Sequence, residues 1–158
     1  MSLDNIAGRL AQTPLAIALT DSGWLFGAVE AVHVMGLTLV LGSIGLVDLH
    51  LLGVVECERD TAAFIRRLLP LTWTGFVVAA LAGTTLVFAN PQGYFDNLFF
   101  RGKILLLIVA GLNVAVFHRF VQPRTAVSGA VAPRVSGAVS LALWLTIVSF
   151  GRWIGFTI

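Results

Sequence analysis

Four side chains that can carry protons or bind a metal occur inside one long apolar stretch, residues 24–52. They are Glu30, His33, Asp48 and His50. About 20 apolar residues cross a hydrocarbon core, and an ionisable group inside it is costly unless it faces protein, a cofactor or water. Imidazole is also a common ligand of haem iron. The stretch therefore predicts a membrane helix whose polar residues are sheltered by the rest of the chain.

The spacing of these residues predicts two polar layers. Counted at about 100° per residue, Glu30 and His33 share a face of the helix. Asp48 returns to within about 60° of His33, whereas His50 points about 100° away from it. A rise of about 1.5 Å per residue separates His33 from Asp48 by roughly 22 Å, so the two lie near opposite ends of the membrane.

The composition predicts an integral membrane protein with one compact domain. Hydrophobic residues make up 58% of the 158 residues and charged residues only 11%. The net charge of +2 comes from loops between apolar runs and does not indicate nucleic-acid binding. A single cysteine, Cys57, excludes an internal disulfide and a cysteine metal site. The first residues include acids and no basic run, so we expect no signal peptide.

Four apolar stretches predict an all-α, up-down-up-down transmembrane bundle formed by residues 24–158. The expected helices are residues 24–52, about 68–89, about 103–121 and about 135–158. Residues 1–23 are expected to form an interfacial amphipathic segment broken at Pro14. The charged residues 54–70 predict a water-facing loop, and the aromatic residues 92–102 predict an interfacial one. In such a bundle the first and third helices lie diagonally across the core.

The loops at 54–69 and 119–134 carry six basic residues against four on the other side of the membrane. The positive-inside rule then predicts that both termini face outward, into the periplasm. The members of the outward polar layer would be Glu30, His33, Lys103 and Arg152. The members of the inward layer would be Asp48 and His118, with Trp73, Thr74 and His50 nearby.

Each layer has a structural and a functional interpretation. In the outward layer, Glu30 pairs with Arg152 or Lys103 and holds the bundle together. Alternatively, His33 is an axial ligand of haem b and the two cations accept the porphyrin propionates. A carboxylate di-metal site is disfavoured, because the sequence holds no second copy of the Glu-x-x-His motif.

For the inward layer, the structural interpretation is an ion pair between Asp48 and His118. The functional one is ligation of a haem by His50 and His118, which lie at similar depth on parallel helices. The glycines of the first helix predict close helix packing, because small residues let two backbones approach. They are Gly36, Gly42, Gly45 and Gly53.

Several segments resemble an uncharacterised family of small bacterial four-helix inner-membrane proteins. These segments are AVHVMGLTLVLGSIGLVDLHLLG, PLTWTGFVVAALAGTTLVFANP, FRGKILLLIVAGLNVAVFH and GRWIGF. In that family the first helix usually ends Asp-Leu-Arg-Leu-Leu-Gly, and His50 stands here at the position of the arginine.

A histidine early in the first helix, followed by a lysine opening the third, is also similar to the HemJ-type protoporphyrinogen oxidases. The general plan is similar to the copper-resistance D membrane domain. HemJ-type proteins bind haem b and oxidise a porphyrinogen. The resemblance implies that His33 takes the place of their histidine and Lys103 that of their lysine.

The leading hypothesis is a haem-b-binding protein of the bacterial inner membrane with a redox or electron-transfer role, with porphyrinogen oxidation as a more specific version. The candidate cofactor-binding residues are Glu30, His33, Lys103, His118 and Arg152, and the candidate iron ligands are His33, His50 and His118. The alternative is a cofactor-free membrane subunit, or a small proton-handling or transport protein with structural ion pairs. The expected partners are the bilayer, a redox protein and a further copy of the chain.

Overall fold

The computed structural model describes residues 3–56, 60–121 and 131–158, which leaves Cys57, Arg59 and Arg124 of the predicted loops outside the described residues. The helices are α1 (Leu3–Ala11), α2 (Pro14–Asp21), α3 (Leu25–Leu52), α4 (Thr61–Val87), α5 (Pro91–Asp96), α6 (Leu98–Val116) and α7 (Val131–Thr157). A π-helical turn, Phe117–Val121, continues α6. No strand occurs in the described part of the chain, and the predicted all-α class is confirmed.

Four of these helices are long and apolar enough to cross a membrane. They are α3, α4, α6 with its extension to Phe120, and α7. At most 28% of the most apolar window of any of them is buried inside the protein, so their apolar surface mostly faces outward. A surface of this kind requires lipid around it, and it identifies a membrane protein with four spanning helices.

The spanning helices pack as two hairpins. The helix α3 lies along α4, α6 lies along α7, and α3 also packs against α7, whereas no comparable contact joins α4 to α6 or α3 to α6 in the described residues. The first and third spanning helices are therefore diagonal, as predicted. A buried cluster of Val40, Ala110, Trp144 and Ile147 holds α3, α6 and α7 together.

The helix starts differ from the expected ones, because capping residues extend the helices into the predicted loops. The helix α4 begins at Thr61 and not near residue 68, since the Asp60 carboxylate accepts hydrogen bonds from the amides of Ala62 (2.9 Å) and Ala63 (3.2 Å). Pro70 consequently lies inside α4 and not in its first turn. The expected loop over 54–70 is therefore mostly helix.

Asn97 caps α6 in the same way and also ties two helices together. Its Oδ1 accepts from the Phe100 amide at 3.0 Å, so α6 begins at Leu98 and not at Lys103. Its Nδ2 donates to the Thr157 hydroxyl at 2.7 Å, which fixes the start of α6 beside the end of α7. The expected fourth helix likewise begins earlier, at Val131.

The N-terminal segment forms two short helices separated near Pro14, as predicted. The Thr13 hydroxyl caps α2 by accepting from the Ala16 amide at 3.3 Å. The helix α1 packs on α5, which connects α4 to α6. We call this end of the bundle the His33 end, and the opposite end, where α3 turns into α4, the Asp48 end.

Candidate functional site

The His33 end is built on a close approach of α3 and α4. A Cβ atom added to Gly36 would lie 2.6 Å from the backbone nitrogen of Ala79 and 2.9 Å from the carbonyl oxygen of Gly75. Only small residues at this crossing let the two backbones come so near. The prediction of close packing is confirmed at Gly36.

The prediction of close helix packing is wrong at Gly42 and Gly45, where an added Cβ would meet no atom of the described residues within 4 Å. Gly53 serves a different purpose, because it ends α3 in the left-handed conformation with φ of +77°.

One turn away from this crossing, the close approach fixes the His33 side chain. His33 Nδ1 lies 2.7 Å from the carbonyl oxygen of Ala79. The ring lies against Gly83, where an added Cβ would sit 2.8 Å from His33 Cε1. Because a carbonyl oxygen can only accept, Nδ1 carries the hydrogen and Nε2 presents a lone pair. No hydrogen bond from the described residues occupies Nε2.

Lys103 comes close to this imidazole from α6. Its half-buried side chain ends against α7, where a Cβ added to Gly151 would lie 3.1 Å from Lys103 Nζ. The charges of Lys103 and Glu30 both act on the His33 ring, with opposite sign. The structure thus brings together three of the four residues predicted for the outward layer.

The predicted ion pairs of this layer are not formed. Among the described residues, ion pairs join Asp60 to Arg66 (4.0 Å) and Asp96 to Arg101 (3.8 Å), and none joins Glu30 to Lys103 or Arg152. Glu30 is exposed near the start of α3, so water or headgroups can solvate it. Lys103 is therefore a half-buried cation without an acidic partner in the described chain.

Arg152 and Tyr94 complete this end. The Arg152 guanidinium is exposed, and its Cζ lies 4.9 Å from the centroid of the Phe156 ring, a cation–π contact. Tyr94, on α5, is half-buried close to Glu30. Burial raises the pKa of the Tyr94 phenol above its ordinary value of 10.0, and the nearby Glu30 charge raises it further.

The Asp48 end contains a cavity of about 90 Å³ between all four spanning helices. Its walls are mostly apolar. Its polar lining residues are Asp48, Thr72, Asn113, His118, Ser136 and Ser140. Trp73 and Thr74, predicted for this layer, are exposed on the outer face of α4, and Thr72 takes their place. The helical phase of α4 explains the difference, because Thr72 shares the buried face of Ile65, Gly75 and Ala79.

Asp48 is the most unusual group in this cavity. Its side chain is only 3% exposed, and it receives a hydrogen bond from the Ser140 hydroxyl. Its Oδ2 atom has no hydrogen-bond partner in the described residues, a property that it shares there with Trp144 Nε1. Ser140 is thus the hydrogen-bond partner of the carboxyl, and His118 lines the same cavity.

His50 holds the connection between α3 and α4. Its Nδ1 lies 3.2 Å from the Val55 carbonyl oxygen, and its Nε2 lies 3.1 Å from the Thr61 hydroxyl. Its ring also contacts Phe64, with centroids 5.1 Å apart. Both ring nitrogens are engaged, so this histidine has a structural contact at each position where it could bind iron.

The structure does not bring His118 to His33. Fifteen residues of helix separate Lys103 from His118, or about 22 Å, and His118 lines the cavity at the other end. The described residues contain no cluster of three or more histidine, cysteine, aspartate or glutamate side chains placed to hold a metal ion. His50 has a contact at each ring nitrogen, whereas His33 has one ring nitrogen without a hydrogen bond from the described residues.

Two features of the site were not predicted. Thr72 donates a hydrogen bond to Ser43 Oγ at 2.7 Å, which joins α4 to α3 beside the cavity. Gly83, against the His33 ring, was not singled out either. The four-residue spacing of Gly75, Ala79 and Gly83 is the sequence signal that could have found it.

A family model described as "Family of unknown function (DUF6644)" matches residues 16–157. No curated protein and no solved structure matches the chain. The expected uncharacterised family is thereby confirmed, whereas the comparisons show no similarity to HemJ-type oxidases or to the copper-resistance D domain.

Proposed function

The chain belongs to the DUF6644 family, and we propose that it binds haem b within the membrane and serves a redox function, with His33 as an axial ligand of the iron. One observation carries this proposal. The His33 ring is held in a single tautomer whose Nε2 lone pair is free of hydrogen bonds from the described residues, and a cation without an acidic partner lies beside it.

The contacts of His33 fit the requirements of an iron ligand. A histidine that binds a metal through one nitrogen commonly donates its other N–H to a carbonyl or carboxylate, which fixes the ring and raises its basicity. The Ala79 carbonyl fills that role at 2.7 Å, and Gly83 leaves room for the ring plane. A ring ordered in advance loses less entropy when it binds the iron.

Lys103 and Arg152 fit the acidic edge of the same cofactor. Haem carries two propionates, and a half-buried ammonium in a bilayer is unfavourable without an anion. Neither cation has an acidic partner in the described residues, so both can accept a carboxylate from a ligand. Arg152 follows Gly151, the residue against which Lys103 ends, so the two charges belong to one end of the bundle.

The packing of the helices favours one place for a planar ring. The helices α4 and α6 make no contact comparable to those of the other neighbouring pairs, and they contribute Gly83 and Lys103 respectively. We therefore place the cofactor between α4 and α6, where His33 would hold the iron and Lys103 would neutralise a propionate.

In this proposal the chain positions and shields the cofactor. When bound, haem supplies the exchange of single electrons. His33 holds the iron, Lys103 and Arg152 neutralise the propionates, and the apolar walls exclude water. Oxidation of a porphyrinogen is the more specific version, supported by the resemblance of His33 and Lys103 to the HemJ-type pattern. The proposal includes a bacterial inner-membrane location, the His33 end facing outward and a redox protein as electron partner.

The test is an absorption spectrum of detergent-purified protein from a haem-replete host, oxidised and then reduced with dithionite, with the haem quantified as its pyridine adduct. We expect one b-type haem per chain. His33→Ala should remove most of it, because the iron loses its ligand. His50→Gln is the matched control and should keep the haem, since His50 bonds only the connection between α3 and α4.

A colourless wild-type protein would overturn the proposal, and so would a haem content that His33→Ala leaves unchanged. If His33→Ala does not fold, Lys103→Gln provides a second measurement. Loss of one propionate contact should weaken haem retention during dialysis while leaving a b-type spectrum. Identical retention in this variant and wild type would contradict the role of Lys103.

A further inference from the structure

The cavity at the Asp48 end has the features of a built ligand site, and nothing in the haem proposal uses it. It lies where all four spanning helices meet, and one wall is a carboxyl that is 3% exposed. We propose that this cavity binds a small monovalent cation of the size of Na⁺, with the Asp48 carboxylate as its counter-charge.

The unfilled bonding capacity of Asp48 is the first argument. One of its oxygens lacks any hydrogen-bond partner in the described residues, and Ser140 provides the hydrogen bond to the carboxyl. An ionised carboxyl in an apolar bundle is stable only when a positive charge or several donors satisfy it. A cation in the adjoining cavity, which Asp48 lines, would supply the positive charge that the buried carboxylate lacks.

The orientation of the neighbouring hydroxyls is the second argument. Thr72 donates its hydrogen to Ser43 Oγ at 2.7 Å, and Ser43 in turn donates to the Leu39 carbonyl at 2.7 Å. The alternative acceptor of the Thr72 hydrogen is the Leu68 carbonyl of its own helix, at 3.1 Å. In either case the hydrogen is used by the helices, and the lone pairs of Thr72 remain for a ligand in the cavity.

Two of the remaining polar residues supply further oxygen atoms. Ser136 and Asn113 line the same cavity from α7 and α6. Carboxylate, hydroxyl and amide oxygens are the ligands that hard cations prefer. Such a set differs from the histidine and cysteine clusters that bind transition metals, and the described residues hold no cluster of that kind.

The charge and size of the cavity select the cation. Among the described residues, Asp48 is the one acidic side chain that lines the cavity, and the imidazole of His118 lines it as well. A monovalent ion gives a neutral pair with the Asp48 carboxylate, whereas a divalent ion would leave excess charge in an apolar surrounding. A volume of about 90 Å³ equals roughly three water molecules at about 30 Å³ each. An alkali ion with one or two waters fits this volume.

The test compares sodium chloride with N-methylglucamine chloride at equal ionic strength and measures the thermal midpoint of the purified protein. Sodium should raise the midpoint saturably, by roughly 5–10 °C at 100 times its dissociation constant. Asp48→Asn should abolish the difference between the salts. Asp96→Asn, which alters an exposed carboxylate, should retain it.

Direct binding of ²²Na⁺ to the wild-type protein keeps the proposal testable if Asp48→Asn does not fold. We expect about one ion per chain, and Thr72→Val should weaken its binding about tenfold by removing one oxygen ligand. Equal midpoints in the two salts with no retained ²²Na⁺ would overturn the proposal and indicate that Asp48 takes a proton instead. Sodium binding that survives both substitutions would overturn the assignment to this cavity.

Discussion

The two ends of α3 place polar groups in the membrane by opposite means. At the His33 end, small residues bring helices together, and the imidazole is pressed between a carbonyl and a glycine. At the Asp48 end, the helices part around a cavity, and the carboxyl keeps one oxygen without a partner. The comparison indicates that close packing fixes the orientation of a polar ring, whereas a cavity leaves free space beside a buried polar group.

Adding a methyl group to the close crossing should produce the largest effect. Gly36→Ala places a Cβ 2.6 Å from the Ala79 backbone, which cannot move as a flexible side chain can. We expect a loss of about 2 kcal/mol in the free energy of unfolding, as for other overpacked cores. Unfolding of the detergent-solubilised protein, followed by tryptophan fluorescence, measures this change.

The control for this prediction lies on the same helix. Gly42 is exposed and has nothing within 4 Å of an added Cβ, so Gly42→Ala should increase stability by roughly 0.5–1 kcal/mol through helix propensity. Equal effects of the two substitutions would contradict the contrast between a tight face and an open one.

A methyl group beside the imidazole should have a smaller effect on stability but a specific one on ligand binding. In Gly83→Ala the new Cβ would lie 2.8 Å from His33 Cε1, so the ring must move and the hydrogen bond to Ala79 is strained. That bond contributes about 1 kcal/mol, and the gain in helix propensity offsets most of it. We expect little change in the thermal midpoint together with lower haem occupancy.

Gly111→Ala, on α6, is the matched control, because its Cβ would meet nothing within 4 Å. It should leave haem occupancy at the wild-type level. A Gly83→Ala protein with full occupancy and an unshifted spectrum would show that the contact between ring and glycine does not orient the ligand.

The smallest expected effect concerns Tyr94 and appears only at alkaline pH. Its pKa is raised in the folded protein by burial and by Glu30, so the folded state holds the phenolic proton more strongly than the unfolded state does. Stability should therefore be unaffected below pH 10 and should fall as the pH rises from 10 through the folded pKa.

Tyr94→Phe should remove this decline, and Glu30→Gln should reduce it, because burial is the larger cause and Glu30 the smaller one. Thermal midpoints between pH 9 and about 11.5 test both substitutions. An unchanged decline in Tyr94→Phe would assign it to another group.

The sequence was sufficient for the four spanning helices, their alternating directions and the diagonal placement of the first and third. Hydrophobic runs of this length have few alternatives, since the backbone of a membrane segment must satisfy its own hydrogen bonds. The predicted starts of α4 and α6 are wrong, because Asp60 and Asn97 cap these helices inside segments whose composition is typical of polar or aromatic loops. A cap depends on local dihedral angles that periodicity does not reveal.

Helical periodicity predicts the candidate site only in part. Periodicity places His33 and Asp48 near opposite ends of one helix, and it places Lys103 on a helix that brings its charge close to His33. Periodicity does not fix the rotation of a neighbouring helix. The sequence therefore predicts Trp73 and Thr74 in the inward layer, whereas the structure exposes both and places Thr72 there. The role of His50 depends on a turn whose geometry forms only when α3 and α4 meet.

Among the described residues, α4 and α6 make no contact comparable to those of the other neighbouring helices, so the bundle consists of two hairpins joined along α3 and α7. The helices α3 and α7 form the interface between the hairpins, and α4 and α6 lie on the open side. Separation of the two hairpins would part Thr72 from Asn113, which line the cavity from α4 and from α6, while α3 and α7 stay in contact. The cation that we propose for the cavity would then also hold the two hairpins together at the His33 end, about 22 Å away.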